Sequence, residues 1–189
     1  MYKNLYDSFK HWFQDNRGQV FFYSDPHFND GDQQYLRPNY IGDEEQVKKI
    51  NAKIGKYDTL VILGDIGDTE FVKKLRGYKV LIMGNHDKGA SNYYDLFNEV
   101  YEGALLIAPN IILSHEPLSF NYALNIHGHD HAKWSFQDNQ HLNVCAELIN
   151  YTPICLKDIV KSGVLKNIND IHRTTIDRAT ERKFDKSLK

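Results

Sequence analysis

The sequence predicts an α/β protein in which two β-sheets form a sandwich that helices flank. Between residues 20 and 83, apolar strand-like runs alternate with helical runs, which favours a parallel sheet with right-handed crossovers. After residue 99, short strand-like runs follow one another through tight connections, which favours hairpins and a second sheet. Donor side chains follow five of these runs, so we expect a group of ligands at one end of the sandwich.

The first half of the chain carries the alternating pattern. Its expected elements are, in order, a helix at 4–15, a strand ending at Ser24, a loop at 28–42, a helix at 43–56, a strand at 59–63, a helix at 68–75 and a strand at 79–83. Apolar residues at helical spacing, such as Leu5 and Phe9, support the first helix. Asp43 is a candidate N-cap for the second helix.

The second half predicts shorter elements. The expected strands lie at 104–108, 110–114, 123–127, 133–136 and 141–145, with turn candidates at Asn110, Asn121 and Asn139. A helical, charged segment should follow at about 156–189. Residues 166–189 hold seven basic and four acidic side chains, a net charge of +3. A solvated helix explains that charge, and a basic handle for nucleic acid is the alternative.

Composition is that of an ordinary soluble globular protein. The 189 residues suit one domain, 1–189, with a motif-bearing core at about 20–145. The net charge of −2 favours no polyanionic partner. No apolar run approaches the roughly 20 residues that span a bilayer, and the N-terminus lacks an apolar signal core. Cys145 and Cys155 are too few for a disulfide framework, so we expect reduced thiols in a cytoplasmic protein.

The first motif, Asp25-Pro26-His27, comes directly after a strand. Its two donors stand at positions i and i+2, so both can turn toward one cation. A turn aspartate beside a surface histidine would explain the motif equally well if it stood alone.

The second motif is Gly64-Asp65, after the apolar strand that ends at Leu63. Glycine lets the backbone pass close to other groups, and the two oxygens of one carboxylate can bridge two cations roughly 3.5–4 Å apart. Asp68 could orient a ligand or a catalytic histidine. A helix N-cap is the alternative for Asp68.

The third motif, Gly84-Asn85-His86-Asp87, is the most specific local pattern. Asn85 offers a neutral oxygen ligand, and His86 can act as a general acid toward a leaving group. Nearby cations would keep His86 neutral, and the charge of Asp87 or Asp68 could oppose that effect. A strand-to-turn connection built on turn-forming residues is the alternative.

Histidines follow the last two runs. Ser114-His115 places one imidazole at a strand end, where a structural histidine is the alternative. The segment His127-Gly128-His129-Asp130-His131 holds three histidines in five residues. Strand alternation would put all three on one side, whereas a break at Gly128 would divide them between two metals. A solvated histidine-rich turn or a weak metal-binding tract would also explain this segment.

The five motifs together are more specific than any one of them. In the order D-x-H, G-D-x-x-D, G-N-H-D, H and G-H-x-H, each after a strand, they resemble the calcineurin-like metallophosphoesterase family. The resemblance spans about residues 20–145. Arg37-Pro38 and Asn143-Val144 are similar to segments of the small single-domain phosphoesterases of bacteria and their viruses. The resemblance implies the four-layer αββα fold without the cap domain of larger relatives.

The resemblance also implies a role for each motif residue. Asp25, His27 and His131 would hold one metal, Asp65 would bridge it to another, and Asn85, His115 and His129 would complete the second site. His86 would be the catalytic histidine and would contact the phosphate together with Asn85. Asp68 and Asp87 would assist His86. His127 has no metal role in the motif.

The implied chemistry is hydrolysis of a phosphodiester or phosphomonoester of a small substrate such as a nucleotide. A hydroxide that bridges two divalent cations would attack phosphorus in line, and His86 would protonate the leaving group. The resemblance favours Mn²⁺, and the nitrogen and oxygen ligand set also suits Fe²⁺, Zn²⁺ or Ni²⁺.

Two other functions stay open at this point. One is a metal-dependent nuclease on DNA or RNA, for which the basic tail and aromatics such as Tyr35 and Tyr94 are the only support. The other is an idle protein-binding scaffold, which the complete motif set opposes. Arg37 lies in the loop that we expect to overhang the site. It could bind a substrate phosphate, or it could pair with Asp43 or Glu44.

Overall fold

A computed structural model describes residues 2–37, 39–131 and 138–168. The strands in these ranges are β1 (Val20–Tyr23), β2 (Thr59–Leu63), β3 (Tyr78–Ile82), β4 (Glu99–Tyr101), β5 (Leu105–Ala108), β6 (Ile111–Leu113), β7 (Leu124–His127), β8 (His141–Asn143) and β9 (Ile154–Cys155). The α-helices are α1 (Gln33–Leu36), α2 (Asp43–Lys53), α3 (Glu70–Lys73) and α4 (Leu156–Ser162). Short 3-10 helices cover Asp7–Phe13, Ala90–Asn92 and Val164–Asn167.

The first sheet has the strand order β4-β3-β2-β1-β9. The strands β1 to β4 run parallel, and β9 pairs with β1 in the opposite direction. The parallel pairing predicted for the first three strands is therefore confirmed. The sequence carries no signal for β4 or β9, because three and two residues are too few to show a strand pattern.

The second sheet has the order β5-β6-β7-β8. The expected hairpin forms between β5 and β6, but β6, β7 and β8 run parallel, so the prediction of hairpins is wrong for those two pairings. Parallel neighbours need long crossovers, and the connections 114–123 and 128–140 provide them. The strand predicted at 133–136 and most of the charged tail lie outside the described residues.

Alternate residues of the central strands belong to two hydrophobic clusters. Phe22, Val61 and Val80 share one cluster with Leu113 and Ile126 of the second sheet, so this cluster joins the two sheets. The opposite faces of β1, β2 and β3 belong to the other cluster, together with apolar residues of α2. The result is the predicted α/β fold, with two mixed sheets flanked by helices.

Several helices differ from their predictions. The N-terminal segment is a 3-10 helix rather than an α-helix, and the backbone turns left-handed directly after it, at Gln14. Gly42, with φ of 80°, is the N-cap of α2. The Asp43 carboxylate instead accepts hydrogen bonds from the Asn29 amide at 2.9 Å and the Tyr40 hydroxyl at 2.7 Å. Among the described residues, no helix is both long and apolar enough to cross a membrane.

Candidate metal centre

Five parallel strands end at one edge of the sandwich, and each leads into a predicted ligand. Asp25 follows β1, Asp65 follows β2, Asn85 follows β3, His115 follows β6 and His129 follows β7. A bridge between Ser24 and Cys145 joins the end of β1 to the segment after β8, which brings the same edge of both sheets together. The crevice outside the carboxyl ends of such strands is a common place for ligands.

Four predicted ligands adopt a left-handed backbone. The φ angles are 54° at Asp25, 43° at His27, 55° at Asp65 and 67° at His129. Residues other than glycine seldom adopt this conformation, and such strain is typically retained at functional sites. The strand exits are therefore bent to aim these side chains at one another.

The first ligand cluster consists of Asp25, His27 and His131. The ligand atoms of all three lie within 4.8 Å of one another. Asp25 Oδ1 lies 3.8 Å from His27 Nε2 and 3.6 Å from His131 Nε2. His27 Nε2 is also 3.5 Å from Asp65 Oδ2, so Asp65 adjoins this cluster.

The second cluster lies on the other side of Asp65. Asp65 Oδ2 is 3.5 Å from His115 Nε2, which is 2.8 Å from Asn85 Oδ1 and 3.1 Å from His129 Nδ1. Asn85 Oδ1 and His129 Nδ1 are 3.0 Å apart. The structure thus brings all seven predicted metal ligands together. His127 is the exception among the clustered histidines of its segment, because it is buried in β7 with its Nδ1 against the carbonyl of Gly128.

The free lone pairs of these ligands fit metal ions. Asp25 Oδ1 and His27 Nε2 are buried and have no hydrogen-bond partner, which is costly unless a cation satisfies them. In the second cluster, His115 Nδ1 lies 2.8 Å from the Leu63 carbonyl and therefore carries the hydrogen. Its Nε2 lone pair then faces the oxygen of Asn85 and a nitrogen of His129, an arrangement that a shared cation would stabilise.

At Asp25 and His27, electrostatics favour the protonation states that metal binding needs. Burial raises the pKa of Asp25, but the charges of His115 and His131 and a hydrogen bond from Ser24 outweigh it and hold that pKa below its ordinary value. Burial, assisted by the charge of Arg37, lowers the pKa of His27. An ionised carboxylate and a neutral imidazole are the forms that ligate metals.

Gly128 is required because its backbone lies very close to the side chains of Ser24 and Asp25. A Cβ atom on this residue would lie 1.8 Å from Ser24 Oγ and 2.2 Å from Asp25 Oδ2. The absence of a side chain lets the following amide, that of His129, donate a hydrogen bond to Asp25 Oδ2 at 2.9 Å. The glycine between His127 and His129 therefore links the two halves of the site.

His86 lies at the exposed rim of the clusters. Its backbone amide donates to Asp65 Oδ1 at 3.0 Å, and its ring centre is 5.7 Å from that of His27. Asp68 accepts hydrogen bonds from the Glu70 amide at 3.0 Å and from the Asn29 side chain at 3.1 Å. Thr69 rather than Asp68 is the N-cap of α3, so the N-cap alternative for Asp68 is wrong. The bonds of Asp68 join it to the start of α3 and to Asn29.

Asp87 joins two of the ligand-bearing turns. Its carboxylate accepts hydrogen bonds from the amides of Gly84, Asp65 and Ile66 at 2.8–3.0 Å, and from the Tyr93 hydroxyl at 3.2 Å. These bonds direct Asp87 at the backbone rather than at the His86 imidazole. The geometry therefore gives Asp87 a positioning role for Asp65.

Arg37 does not occupy either of the positions predicted for it. Its side chain is only 2% exposed, so it is not available to a substrate, and it pairs with Glu147 rather than with Asp43 or Glu44. The reason is tertiary: α1 turns the chain back, and Arg37 Nη2 donates to the Asp25 carbonyl at 2.9 Å. Pro38 lies outside the described residues.

Glu147 is a site residue that the sequence did not indicate. Its Oε1 lies 2.5 Å from Nδ1 of the predicted ligand His131. No local pattern marks it, since it stands in a loop after β8 with no other metal-ligating residue type beside it except Cys145. Only its proximity to His131 in the folded chain reveals it.

Two grooves flank the clusters. One has a volume of about 560 Å³, and its lining includes His27, Asp30, Asp68, His86 and Lys88. The other has a volume of about 340 Å³ and is lined by Asn85, Glu102, His115 and Glu116, among others. Each described lining holds two carboxylates, Asp30 and Asp68 in the first groove and Glu102 and Glu116 in the second. The grooves therefore differ by one positive charge, that of Lys88 in the first.

The chain belongs to the calcineurin-like phosphoesterase family, whose model matches residues 18–186. It is 30% identical over 181 residues to the uncharacterized protein MJ1445 of Methanocaldococcus jannaschii, a match that covers 81% of this chain and 98% of that protein. Its fold is similar to that of the protein of unknown function AQ665 from Aquifex aeolicus, with a TM-score of 0.61 and 24% identity. That similarity covers 76% of this chain and 98% of the other. The chain is thus a metallophosphoesterase-type hydrolase with residues suited to metal binding.

Proposed function

We propose that this protein is a dinuclear phosphoesterase that hydrolyses a phosphodiester or phosphomonoester of a small substrate such as a nucleotide. The observation that carries the proposal is the position of Asp65. Its Oδ2 lies 3.5 Å from His27 Nε2 on one side and 3.5 Å from His115 Nε2 on the other. A carboxylate between two ligand clusters is suited to bridge two cations.

The proposed cofactors are two divalent cations, with Mn²⁺ first and Fe²⁺, Zn²⁺ or Ni²⁺ as alternatives. Asp25, His27 and His131 would hold the first, Asn85, His115 and His129 the second, and Asp65 both. When bound, the cations supply an acidified water and offset the charge of the phosphate. The ligands contain nitrogen and oxygen donors, and Cys145 donates to Asp25 rather than joining either cluster.

His86 is proposed as the general acid. Its imidazole is exposed at the rim beside His27, where a leaving oxygen would depart toward the solvent. Protonation of that oxygen would make it a better leaving group. The side chain of Asn85 is also exposed and would contact the phosphate from the second cluster.

The charges of the two grooves support a small substrate over a nucleic acid. A strand of DNA or RNA that crossed the centre would pass Glu102 and Glu116, whose charges repel phosphates. A small substrate needs only the groove with His86 and Lys88, where the lysine offsets part of the negative charge of Asp30 and Asp68. The nuclease alternative has no comparable support in the described residues.

An exposed apolar surface stands close to the site. Tyr35 and Leu36 in α1 are 81% and 71% exposed. Gln33 of the same helix donates to Asp30 at 2.7 Å, and Asp30 is 3.6 Å from His27 Nδ1, so α1 is held beside the first cluster. These side chains would suit a substrate with an aromatic part, such as a nucleobase. Cys145 and Cys155 are buried free thiols, in keeping with a cytoplasmic enzyme.

The test is hydrolysis of bis-p-nitrophenyl phosphate and p-nitrophenyl phosphate with Mn²⁺. Wild type would be compared with Asp65→Ala and His86→Ala, and His11→Ala is the matched control because His11 contacts Glu99 and Tyr78. We expect turnover that both site variants lose and the control retains. Turnover of the monoester alone would restrict the proposal to phosphatase substrates. No turnover despite full metal occupancy would overturn a general esterase activity.

A further inference from the structure

Two residues that are far apart in the sequence meet behind the first ligand cluster. Arg37 follows α1, Glu147 follows β8, and their side chains are only 2% and 10% exposed. Glu147 Oε2 lies 3.5 Å from Arg37 Nη1. The other carboxylate oxygen, Oε1, is 2.5 Å from Nδ1 of His131. Arg37 Nη2 also donates to the backbone carbonyl of Asp25 at 2.9 Å.

These contacts select one tautomer of His131. An ionised Glu147 can only accept, so His131 Nδ1 must carry the hydrogen. His131 Nε2 then presents its lone pair, and that atom lies 3.6 Å from Asp25 Oδ1. A carboxylate behind a metal-ligating histidine fixes the ring and makes it a stronger donor.

Arg37 offsets the free-energy cost of burying the Glu147 carboxylate. A carboxylate as buried as Glu147 is costly without an opposite charge. Arg37 provides that charge. Its hydrogen bond to the Asp25 carbonyl also places the same guanidinium behind Asp25, another ligand of the first cluster. One side chain thus contacts both segments that converge on the first metal position.

The second ligand cluster has a different kind of support. His115 Nδ1 lies 2.8 Å from the neutral backbone carbonyl of Leu63. In the described residues, no carboxylate accepts a hydrogen bond from the imidazole ring of His115 or His129. A charged pair therefore distinguishes the two metal positions.

We propose that Arg37 and Glu147 are positioning residues that make the first metal position the tighter of the two. This inference rests on the proposed dinuclear site. Glu147 sets the tautomer of His131, and Arg37 places Glu147 and the Asp25 backbone. Neither residue touches the substrate.

The experiment measures metal binding rather than activity. Metal-free wild type, Glu147→Gln and Arg37→Met would be titrated with Mn²⁺ by calorimetry, with Glu70→Gln as the matched control because Glu70 is exposed and pairs with Lys73. We expect two sites in wild type and in the control. In each pair variant, one site should weaken by about 10–100-fold while the other is retained. Unchanged affinity at both sites in Glu147→Gln would overturn the proposal.

A second readout separates positioning from folding. In metal-free protein with ¹⁵N-labelled histidine, the ring shifts of His131 should report hydrogen on Nδ1 in wild type and its loss from Nδ1 in Glu147→Ala. A His131 tautomer that is the same in both would overturn the proposal even if the variant melts at a lower temperature. If wild type binds no metal at all, the dinuclear function fails, whereas two unaltered sites in the variants overturn only the positioning role.

Discussion

The two ligand clusters are built in different ways. In the first, Asp25 is fully buried, His131 rests on Glu147, and a guanidinium lies behind both. In the second, His115 is buried but Asn85 and His129 are exposed. Both clusters reach the exposed rim, at His131 in the first and at Asn85 and His129 in the second. Among the described residues, a charged pair lies behind a ligand in the first cluster alone. We expect the first cation to be held firmly and the second to exchange near the place where substrate enters.

The largest effect should come from the residue that the two positions share. Asp65→Asn removes a charge that adjoins both clusters, so it should lower metal content at both and reduce turnover to background. Metal analysis after gel filtration, together with the p-nitrophenyl assays, measures this. If Asp65→Asn keeps two tightly bound cations, Asp65 is not the bridge, and the two positions are independent.

The next effect separates chemistry from metal retention. His86→Ala should lower turnover by about 10²–10⁴-fold because a general acid is lost. Both cations should stay bound, since the His86 side chain belongs to neither cluster. Equilibrium dialysis with Mn²⁺ checks the second half of this expectation. Loss of a cation along with activity would assign His86 to the metal site.

The comparison itself is tested by a pair of histidine variants. His131→Ala should remove the tight position, whereas His129→Ala should weaken only the exchangeable one. Excess Mn²⁺ should therefore restore more activity to His129→Ala than to His131→Ala, by about tenfold or more if the outer contacts of His131 have their usual value. Equal rescue of both variants would show that the two positions do not differ in affinity.

The smallest expected effect concerns Glu99 in β4, which is compared with Asp25 because both are carboxylates with lowered pKa values. Burial raises the pKa of Glu99, but hydrogen bonds from Tyr101, His11 and Trp12 outweigh it, so that pKa lies below its ordinary value. A lowered pKa stabilises the fold above the unfolded-state pKa, and this stability is lost as the pH falls through the folded-state value.

Glu99→Gln should therefore lower the free energy of unfolding by about 1–2 kcal/mol at neutral pH and flatten the acid side of the stability profile. Urea melts between pH 3 and about pH 7 measure this, and metal affinity should not change. A Glu99→Gln variant that is as stable as wild type but binds Mn²⁺ poorly would contradict this comparison. It would mean that Glu99 serves the metal site, as we expect only of Asp25.

The extent to which sequence anticipates the structure follows from the distance over which each signal acts. The strands β1, β2 and β3 are local apolar runs, and the bounds predicted for them differ from those observed by at most one residue. The predicted direction of β7 and β8 was wrong because strand direction depends on where a long connection returns to the sheet. No local sequence pattern specifies that position. The prediction that Asp43 is the N-cap of α2 was wrong because the Asp43 carboxylate forms hydrogen bonds with Asn29 and Tyr40 instead.

The sequence by itself determined which seven candidate donor residues follow strands, since the apolar pattern of each strand is local. Tertiary structure alone decided that Arg37 is buried, that Glu147 supports His131, and that Asp87 binds backbone amides. The physical reason is that burial and ion pairing depend on groups from distant segments. A charged residue has the same local sequence whether it faces solvent, a substrate or a buried partner.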